Sequence, residues 1–240
     1  MNIIALQTAR KGSKSVRNKN TLMIDDKPLF LHNIIYALKS SYISNVYIST
    51  DDETIMSYKK KYDIKIIERP YELTTDMSAQ YDVIVHALHE IEKQEDKKID
   101  IIVILLGNAL GATTEDIDKS IELLINDPDA DSCMSVSTFN MFNPFRAYKS
   151  AGTYLDTILE QSFMANNSQH KDIDDKASAG DVYFFNGSFW ICKRDTVINN
   201  NGLLPFPWLG NKILYCPQDI TMEVDAQWQA DFLKYSAENR

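Results

Sequence analysis

Two groups of residues in this 240-residue chain have the types and spacing for phosphate chemistry. The first is Thr8-Ala9-Arg10-Lys11-Gly12-Ser13-Lys14-Ser15-Val16-Arg17-Asn18-Lys19-Asn20, where five of thirteen residues are Lys or Arg in a chain of formal net charge −9. Gly12 and the two serines permit close backbone approach, and backbone N–H groups beside cations are what a triphosphate requires. The GxxxxGK[ST] spacing of a P-loop is absent, and on charge alone a solvated basic loop remains an equal account. The second group is Glu223-Val224-Asp225. Strand alternation would point both carboxylates to one side, an arrangement suited to an octahedral Mg²⁺ shared with substrate phosphates. On spacing alone the readier account is an exposed acid followed by Asp225 as the N-cap of a closing helix.

The elements that must position these groups alternate along the chain. Apolar runs at residues 2–8, 46–50, 64–67, 99–106 and 132–138 read as strands. Helical patterns lie between them at 28–40, 52–61, 79–95 and from 114 or 115 to about 126, the first opening at Pro28. This order predicts an α/β fold with a mostly parallel, Rossmann-like sheet and helices on both faces. Such a sheet binds ligands at the carboxyl ends of its strands, so the loops after residues 8, 50, 68, 106 and 138 should line the site. Residues 1–240 are expected to form a single domain, with an irregular insertion at about 139–215 for acceptor binding or dimerisation. Within that insertion, 163–180 is expected to be a mobile loop. Residues 182–191 read as an aromatic strand, 219–224 as a last short strand, and 225 to about 237 as the closing helix.

Composition narrows the class. The acidic balance argues against nucleic-acid binding. No apolar run approaches a membrane span, and no basic region precedes the apolar start, so a signal peptide is not expected and the cytoplasm is the expected compartment. Cys133, Cys192 and Cys216 lack metal-ligand spacing and read as reduced thiols. His32, His86 and His89 read as structural; His170 is the one histidine placed for catalysis. The tryptophans 190, 208 and 228 read as core or interface residues, and Leu204-Pro205-Phe206-Pro207-Trp208 as an extended apolar segment suited to a partner subunit.

Several motifs together resemble the acylneuraminate cytidylyltransferase family, which contains the CMP-sialic, CMP-legionaminic and CMP-pseudaminic acid synthetases. They are Ala9-Arg10 with Gly12-Ser13-Lys14 and Lys19-Asn20, Ile48-Ser49-Thr50-Asp51-Asp52, Arg69-Pro70 through Asp76 and Ser78, Asn186-Gly187, and Glu223-Val224-Asp225 followed by Trp228 and Ala230. They run in family order along nearly the whole length. The resemblance implies a GT-A-like nucleotidyltransferase that moves CMP from CTP onto a small anionic acceptor, releases pyrophosphate, uses Mg²⁺ and forms a homodimer. It implies that Arg10, Ser13, Lys14 and Lys19 hold the triphosphate, Arg10 and Lys19 acting in catalysis. Asn20 would lie near the nucleotide, Arg69 and Ser78 near the cytosine, and Asp76 would order their loop. Glu223 and Asp225 would ligate Mg²⁺.

One segment departs from the pattern. Family members that use nine-carbon sugar acids have Gln-Pro-Thr-Ser-Pro-Leu-Arg after the central strand; here residues 107–113 read Gly-Asn-Ala-Leu-Gly-Ala-Thr. Losing a polar contact to substrate costs selectivity, so a sialic-type acid is not the expected acceptor. The opening Gln-Thr-Ala-Arg-Lys-Gly-Ser-Lys is similar to a branch whose acceptor is a phosphorylated glutamine amide, for capsule phosphoramidate. Acceptor contacts are then expected from Asn108, Arg146, Lys171 and Asn186, with Lys149 and Lys176 as further cations. A CMP-nonulosonic acid synthetase and a non-catalytic nucleotide-binding homologue are the alternatives.

Overall fold

A computed structural model of the protein describes residues 1–12, 16–75, 77–138, 142–168, 180–219 and 221–238. The expected roles of Ser13, Lys14, Asp76, His170, Lys171 and Lys176 fall outside these residues.

The elements run in the order β1 (Ile3–Thr8), β2 (Met23–Ile24), β3 (Lys27–Pro28), α1 (Leu29–Ala37), β4 (Asn45–Thr50), α2 (Glu53–Ser57), β5 (Lys65–Glu68), α3 (Gln80–Glu95), β6 (Ile101–Leu106), α4 (Thr114–Asn126) and β7 (Ser132–Thr138). They continue with β8 (Tyr148–Ala151), β9 (Tyr154–Thr157), α5 (Gln161–Asn167), β10 (Tyr183–Lys193), α6 (Arg194–Asn199), β11 (Ile213–Pro217) and α7 (Gln227–Glu238). Seven strands form one sheet in the order β11-β7-β10-β6-β1-β4-β5. β6, β1, β4 and β5 are parallel, and β10 runs antiparallel to β6.

Every residue of β1 and β6 is buried, as expected for central parallel strands covered on both faces. Ile3, Ala5, Val103 and Leu105 pack with Phe30 and Ile34 of α1 and with Ile117 and Ile121 of α4. The apolar stripe of α3, Val83, Ile84, Ala87, Leu88 and Ile91, is buried as well. The mostly parallel, Rossmann-like α/β sheet expected from the sequence is thus the observed fold.

The chain divides into two compact units. The large one comprises Met1–Ser135 and Asn186–Arg240, the small one Val136–Phe185. The small unit contains the β8–β9 hairpin, paired from Tyr148↔Thr157 to Ala151↔Tyr154, and the short helix α5. Sequence reading ran the insertion on to about 215, but the chain is back in the main sheet with β10. The aromatic strand expected at 182–191 is this one, eleven residues long. The hairpin and α5 were not foreseen, because both hairpin strands are almost wholly exposed and carry no alternation. Of the loop expected at 163–180, residues up to Asn167 are helical.

Smaller differences follow from local chemistry. Residues 219–224 are not a strand: the segment makes an isolated antiparallel bridge, Ala109↔Glu223. The edge strand lies earlier, at β11. Pro28 stands at the N-cap position of α1, in extended conformation, rather than in its first turn. Trp190 and Trp208 are core residues, whereas Trp228 is exposed. The three cysteines are free and buried; burial pushes the Cys133 thiol up to about 11 and raises Cys192 and Cys216 also. Among the described residues no helix is long and apolar enough to cross a membrane.

Candidate active site

The loops after β1, β5 and β6 and the 223–225 segment line one cavity of about 400 Å³, and its described lining residues all belong to the large unit. Backbone bonds join the end of β1 to both its neighbours, β4 and β6: Ala9 N donates to Ser49 O (3.1 Å) and Gly107 N to Thr8 O (3.1 Å). Glycine is needed at 107 because a Cβ there would come within 2.7 Å of Ala9 Cβ.

The cationic loop is held at both ends. Lys11 N donates to Asp51 Oδ1 (2.6 Å), while Asp52 caps α2 by accepting from Thr54 N (2.8 Å). The two acids of the Ser-Thr-Asp-Asp run therefore have separate tasks, one on the loop and one on the helix. Buried Asn20 donates Nδ2 to Arg10 O (2.9 Å), so it orders the loop from behind, and it also lines the cavity. The Arg10 guanidinium reaches Gly12 O (3.1 Å) and Thr74 O (3.4 Å), joining the first loop to the one after β5.

Arg69 is 9% exposed and donates Nη2 to Ser49 O (2.9 Å) and Nε to Ser49 Oγ (3.3 Å). Burial pulls its guanidinium down to about 10; Asp51 opposes that shift and Arg10 adds to it. It remains charged at neutral pH, a buried cation at the cavity wall. Ser78 donates Oγ to Glu72 O (3.0 Å) and shares a 2.9 Å bond with Thr75 Oγ1, which closes the 69–78 loop on itself. Gln80, at the start of α3, donates to Thr8 Oγ1 (2.8 Å).

The acidic pair lines the same cavity. Val224 is fully buried with Leu29, Leu110 and Ala230, and Val224 N donates to Asn108 O (2.8 Å). Alternation then turns Glu223 and Asp225 together into the cavity, as read from the sequence. The Asn-Gly motif makes room for this: Gly187 has φ 87°, and a Cβ there would lie 2.4 Å from Glu223 Cγ. Burial raises the Glu223 carboxyl above its ordinary value, with neighbouring Asp225 adding to the rise and Lys19 and Asn108 opposing it. Lys19 Nζ donates to Asp225 Oδ1 (2.8 Å). The N-cap account of Asp225 does not hold. Gln229 Oε1 accepts from Asp225 N (2.8 Å) and Ala226 N (2.6 Å), so Gln229 caps α7 and the Asp225 carboxylate is left to the cavity.

The donor set fits a hard divalent cation. It consists of two carboxylates on one wall, and among the described residues there is no cluster of three or more His, Cys, Asp or Glu. Mg²⁺ characteristically takes one or two carboxylates and completes its octahedron with phosphate oxygens and water.

The expected acceptor residues part company. Asn108 lines the cavity, with Nδ2 3.4 Å from both Asp225 Oδ1 and Val224 O. Asn186 does not line it. Its buried side chain accepts from Ser135 Oγ (2.8 Å) and Ser188 N (3.1 Å) and donates to Gln218 Oε1 (3.0 Å). Arg146 ends a short 3-10 turn in the small unit, and Lys149 there approaches Asp156 at 3.9 Å.

Sequence reading missed other contributors. Asn33 of α1, fully buried, donates to Ala109 O (3.1 Å) and accepts from Ala112 N (3.3 Å); its helical apolar context gives no sign of this. Trp190 and Phe206 form an aromatic wall of the cavity, ring centroids 5.5 Å apart. Phe206, from the run expected to face a partner, is thus partly a site residue. Trp208 stacks edge-on against Trp190 at 4.9 Å.

A cationic loop at the end of a central parallel strand, lining one cavity with a carboxylate pair, is the arrangement of a nucleotidyltransferase. Residues 4–186 match the family model described as Cytidylyltransferase, and the chain belongs to that family. It is 24% identical over 229 residues to the CMP-N,N'-diacetyllegionaminic acid synthase of Legionella pneumophila, covering 95% of this chain and 94% of that protein. It is 43% identical over 86 residues to the N-acylneuraminate cytidylyltransferase of Escherichia coli; that match covers 36% of this chain but only 20% of the longer relative. Among solved structures, CMP:2-keto-3-deoxy-manno-octonic acid synthetase complexed with CTP is similar, with a TM-score of 0.69, 17% identity and coverage of 100% of this chain and 99% of that one.

Proposed function

We propose that this enzyme transfers CMP from CTP to a phosphorylated amide or amine, glutamine phosphate being the acceptor of choice, and releases pyrophosphate. One observation carries the reading: Arg10, Lys19, Arg69, Glu223 and Asp225 all line a single cavity at the carboxyl ends of parallel strands. In this scheme Arg10 and Lys19, with Ser13 and Lys14 of the same loop, hold the triphosphate, and Asn20 keeps that loop in place. Arg69 and Ser78, on a loop ordered by Asp76, take the cytosine. Glu223 and Asp225 hold Mg²⁺, which when bound neutralises charge on the phosphates.

An acceptor oxygen attacks the α-phosphorus in line, the bond to the bridging oxygen breaks, and pyrophosphate carries that electron pair away. A phosphoryl oxygen is already largely ionised at neutral pH, so the chain need supply no strong general base. Lys19, drawn from Asp225 toward the nucleotide, stabilises the leaving charge.

The acceptor side favours a compact substrate. Of residues 107–113, Asn108 lines the cavity, and its amide is turned toward Asp225 and Val224. The segment carries no charged residue. The Trp190–Phe206 wall suits the apolar stem of an amino-acid-sized acceptor. Arg146 and Lys171 are proposed to meet its anionic end, with Asn186 acting indirectly through its hydrogen bonds. The relative named for a legionaminic acid favours a second reading, in which a nonulosonic acid takes this place. A homodimer belongs to the proposal as well: in the small unit, Tyr154 and Leu155 leave 79% and 72% of their surface exposed.

Incubation with CTP, Mg²⁺ and a panel of glutamine phosphate and nonulosonic acids, followed by phosphorus NMR, tests the acceptor. A new CMP adduct of glutamine phosphate is expected, formed at least about tenfold faster than any sugar-acid adduct, the worth of one charge-assisted contact. Adducts with the sugar acids alone would establish the second reading.

A further inference from the structure

Gln218 lies outside every motif discussed above, yet it joins three parts of the large unit. Its Nε2 donates to Gly111 O (2.9 Å) and to Asp116 Oδ2 (2.7 Å). Its Oε1 accepts from Asn186 Nδ2 (3.0 Å), and Asn186 Oδ1 accepts in turn from Ser135 Oγ (2.8 Å). Ser135 and Asn186 are the two residues between which the small unit is spliced into the chain. The 107–113 segment is further held by Asn33, by Ser188 Oγ on Leu110 O (3.0 Å) and by Thr221 Oγ1 on the same carbonyl (3.0 Å). Gly111 has φ 112°, and a Cβ there would lie 2.6 Å from Ser188 Oγ, so the segment is packed with no room to settle elsewhere.

We infer that Gln218 is a positioning residue for acceptor transfer: it ties the 107–113 segment to Asn186 within β10 and, through Asn186, to Ser135 within β7, and so fixes Asn108 against the acidic pair. The chemistry requires an amide. A carboxylate at this position could accept from Asn186 but would face Asp116 and the Gly111 carbonyl with no proton to give. A thioether could do neither. The segment also bonds to the acidic pair, through Val224 N on Asn108 O and the Ala109–Glu223 bridge. Loosening it should therefore disturb the acceptor side of the cavity. Arg10, Arg69 and Ser78, bound to other loops, should stay where they are.

The inference rests on 107–113 being the acceptor side, and the test separates the two ideas. Gln218→Met should lower kcat/KM for glutamine phosphate about tenfold while the CTP dissociation constant stays within about twofold. Hydrogen exchange, which needs no acceptor, should quicken in peptides covering 107–113 and stay unchanged in peptides covering 69–75. The pair Asp116→Asn with Gln218→Glu restores a donor–acceptor contact between the two side chains but leaves Gly111 O without its donor. Its melting temperature should recover relative to Gln218→Glu alone, while kcat/KM for the acceptor stays low. Unchanged exchange at 107–113, equal losses for CTP and acceptor, or recovery of acceptor turnover in the double variant would overturn the inference. If glutamine phosphate is not a substrate of the wild type, the acceptor reading fails, and the exchange comparison still decides the role of Gln218.

Discussion

Glu223 is held in a way that costs the unliganded protein stability. Its carboxyl is raised above 4.5, by burial first and by Asp225 second. For a raised acid the protonated form favours the fold, so the stabilisation is present at low pH and is lost as pH rises from about 4.5 through the folded-state value. Glu223→Gln should therefore melt higher than wild type at about pH 8 and equally at about pH 4, while turnover falls by at least about a hundredfold. A scanning-calorimetry pH series checks the first statement and steady-state kinetics the second. Asp225→Asn should keep its melting temperature, because Gln229 rather than Asp225 caps α7, and should lose most activity, because a neutral amide is a poor Mg²⁺ ligand. Wild-type turnover in this variant would remove Asp225 from the metal site. The residues of this pair could be read from the sequence because strand alternation is a local rule. Asn33 and Gln218 could not, since Ala109 lies 76 positions from the one and Gly111 lies 107 from the other, and nothing near them in the chain announces the contact.

At the scale of elements, caps and close approaches carry the site. Gln229→Ala should remove the two bonds that start α7 and cost about 1 kcal/mol, seen as a lower denaturant midpoint with CTP affinity kept. Gly187→Ala adds a Cβ to a left-handed residue 2.4 Å from Glu223 Cγ. It should cost about 1–3 kcal/mol and also move the carboxylate, so that stability and turnover fall together. The buried strands β1 and β6 and the amphipathic helices α3 and α4 were legible because burial on both faces, or on one stripe, leaves a regular apolar pattern. Residues 219–224 were expected to be a strand. They make one bridge instead, because their neighbour is the irregular loop after β6 rather than another strand. β11 was missed as a five-residue edge strand, Ile-Leu-Tyr-Cys-Pro, with no polar alternation to mark it and a proline at its end.

For the whole molecule, the nucleotide is the first test. A ligand that binds only the folded state raises its stability, so CTP should raise the melting temperature more than ATP, GTP or UTP at equal concentration. Equal shifts would remove the cytosine assignment of Arg69 and Ser78. Light scattering should return twice the mass of one chain, and a single-chain mass would end the dimer proposal. Family membership was legible because its motifs are contiguous and lie at strand ends. The acceptor was not, because its contacts depend on how segments far apart in the chain meet.

The three buried thiols have a practical corollary. Cys133, at about 11, and Cys192 and Cys216, both raised by burial, hold almost no thiolate at neutral pH, and only the thiolate reacts readily with alkylating reagents. The native protein is therefore already a chemically silent background. A single cysteine introduced at exposed Leu204 would accept a maleimide dye without prior removal of the others. That dye would sit on the same 202–210 loop that carries Phe206 to the cavity wall, and its fluorescence would follow ligand arrival in real time.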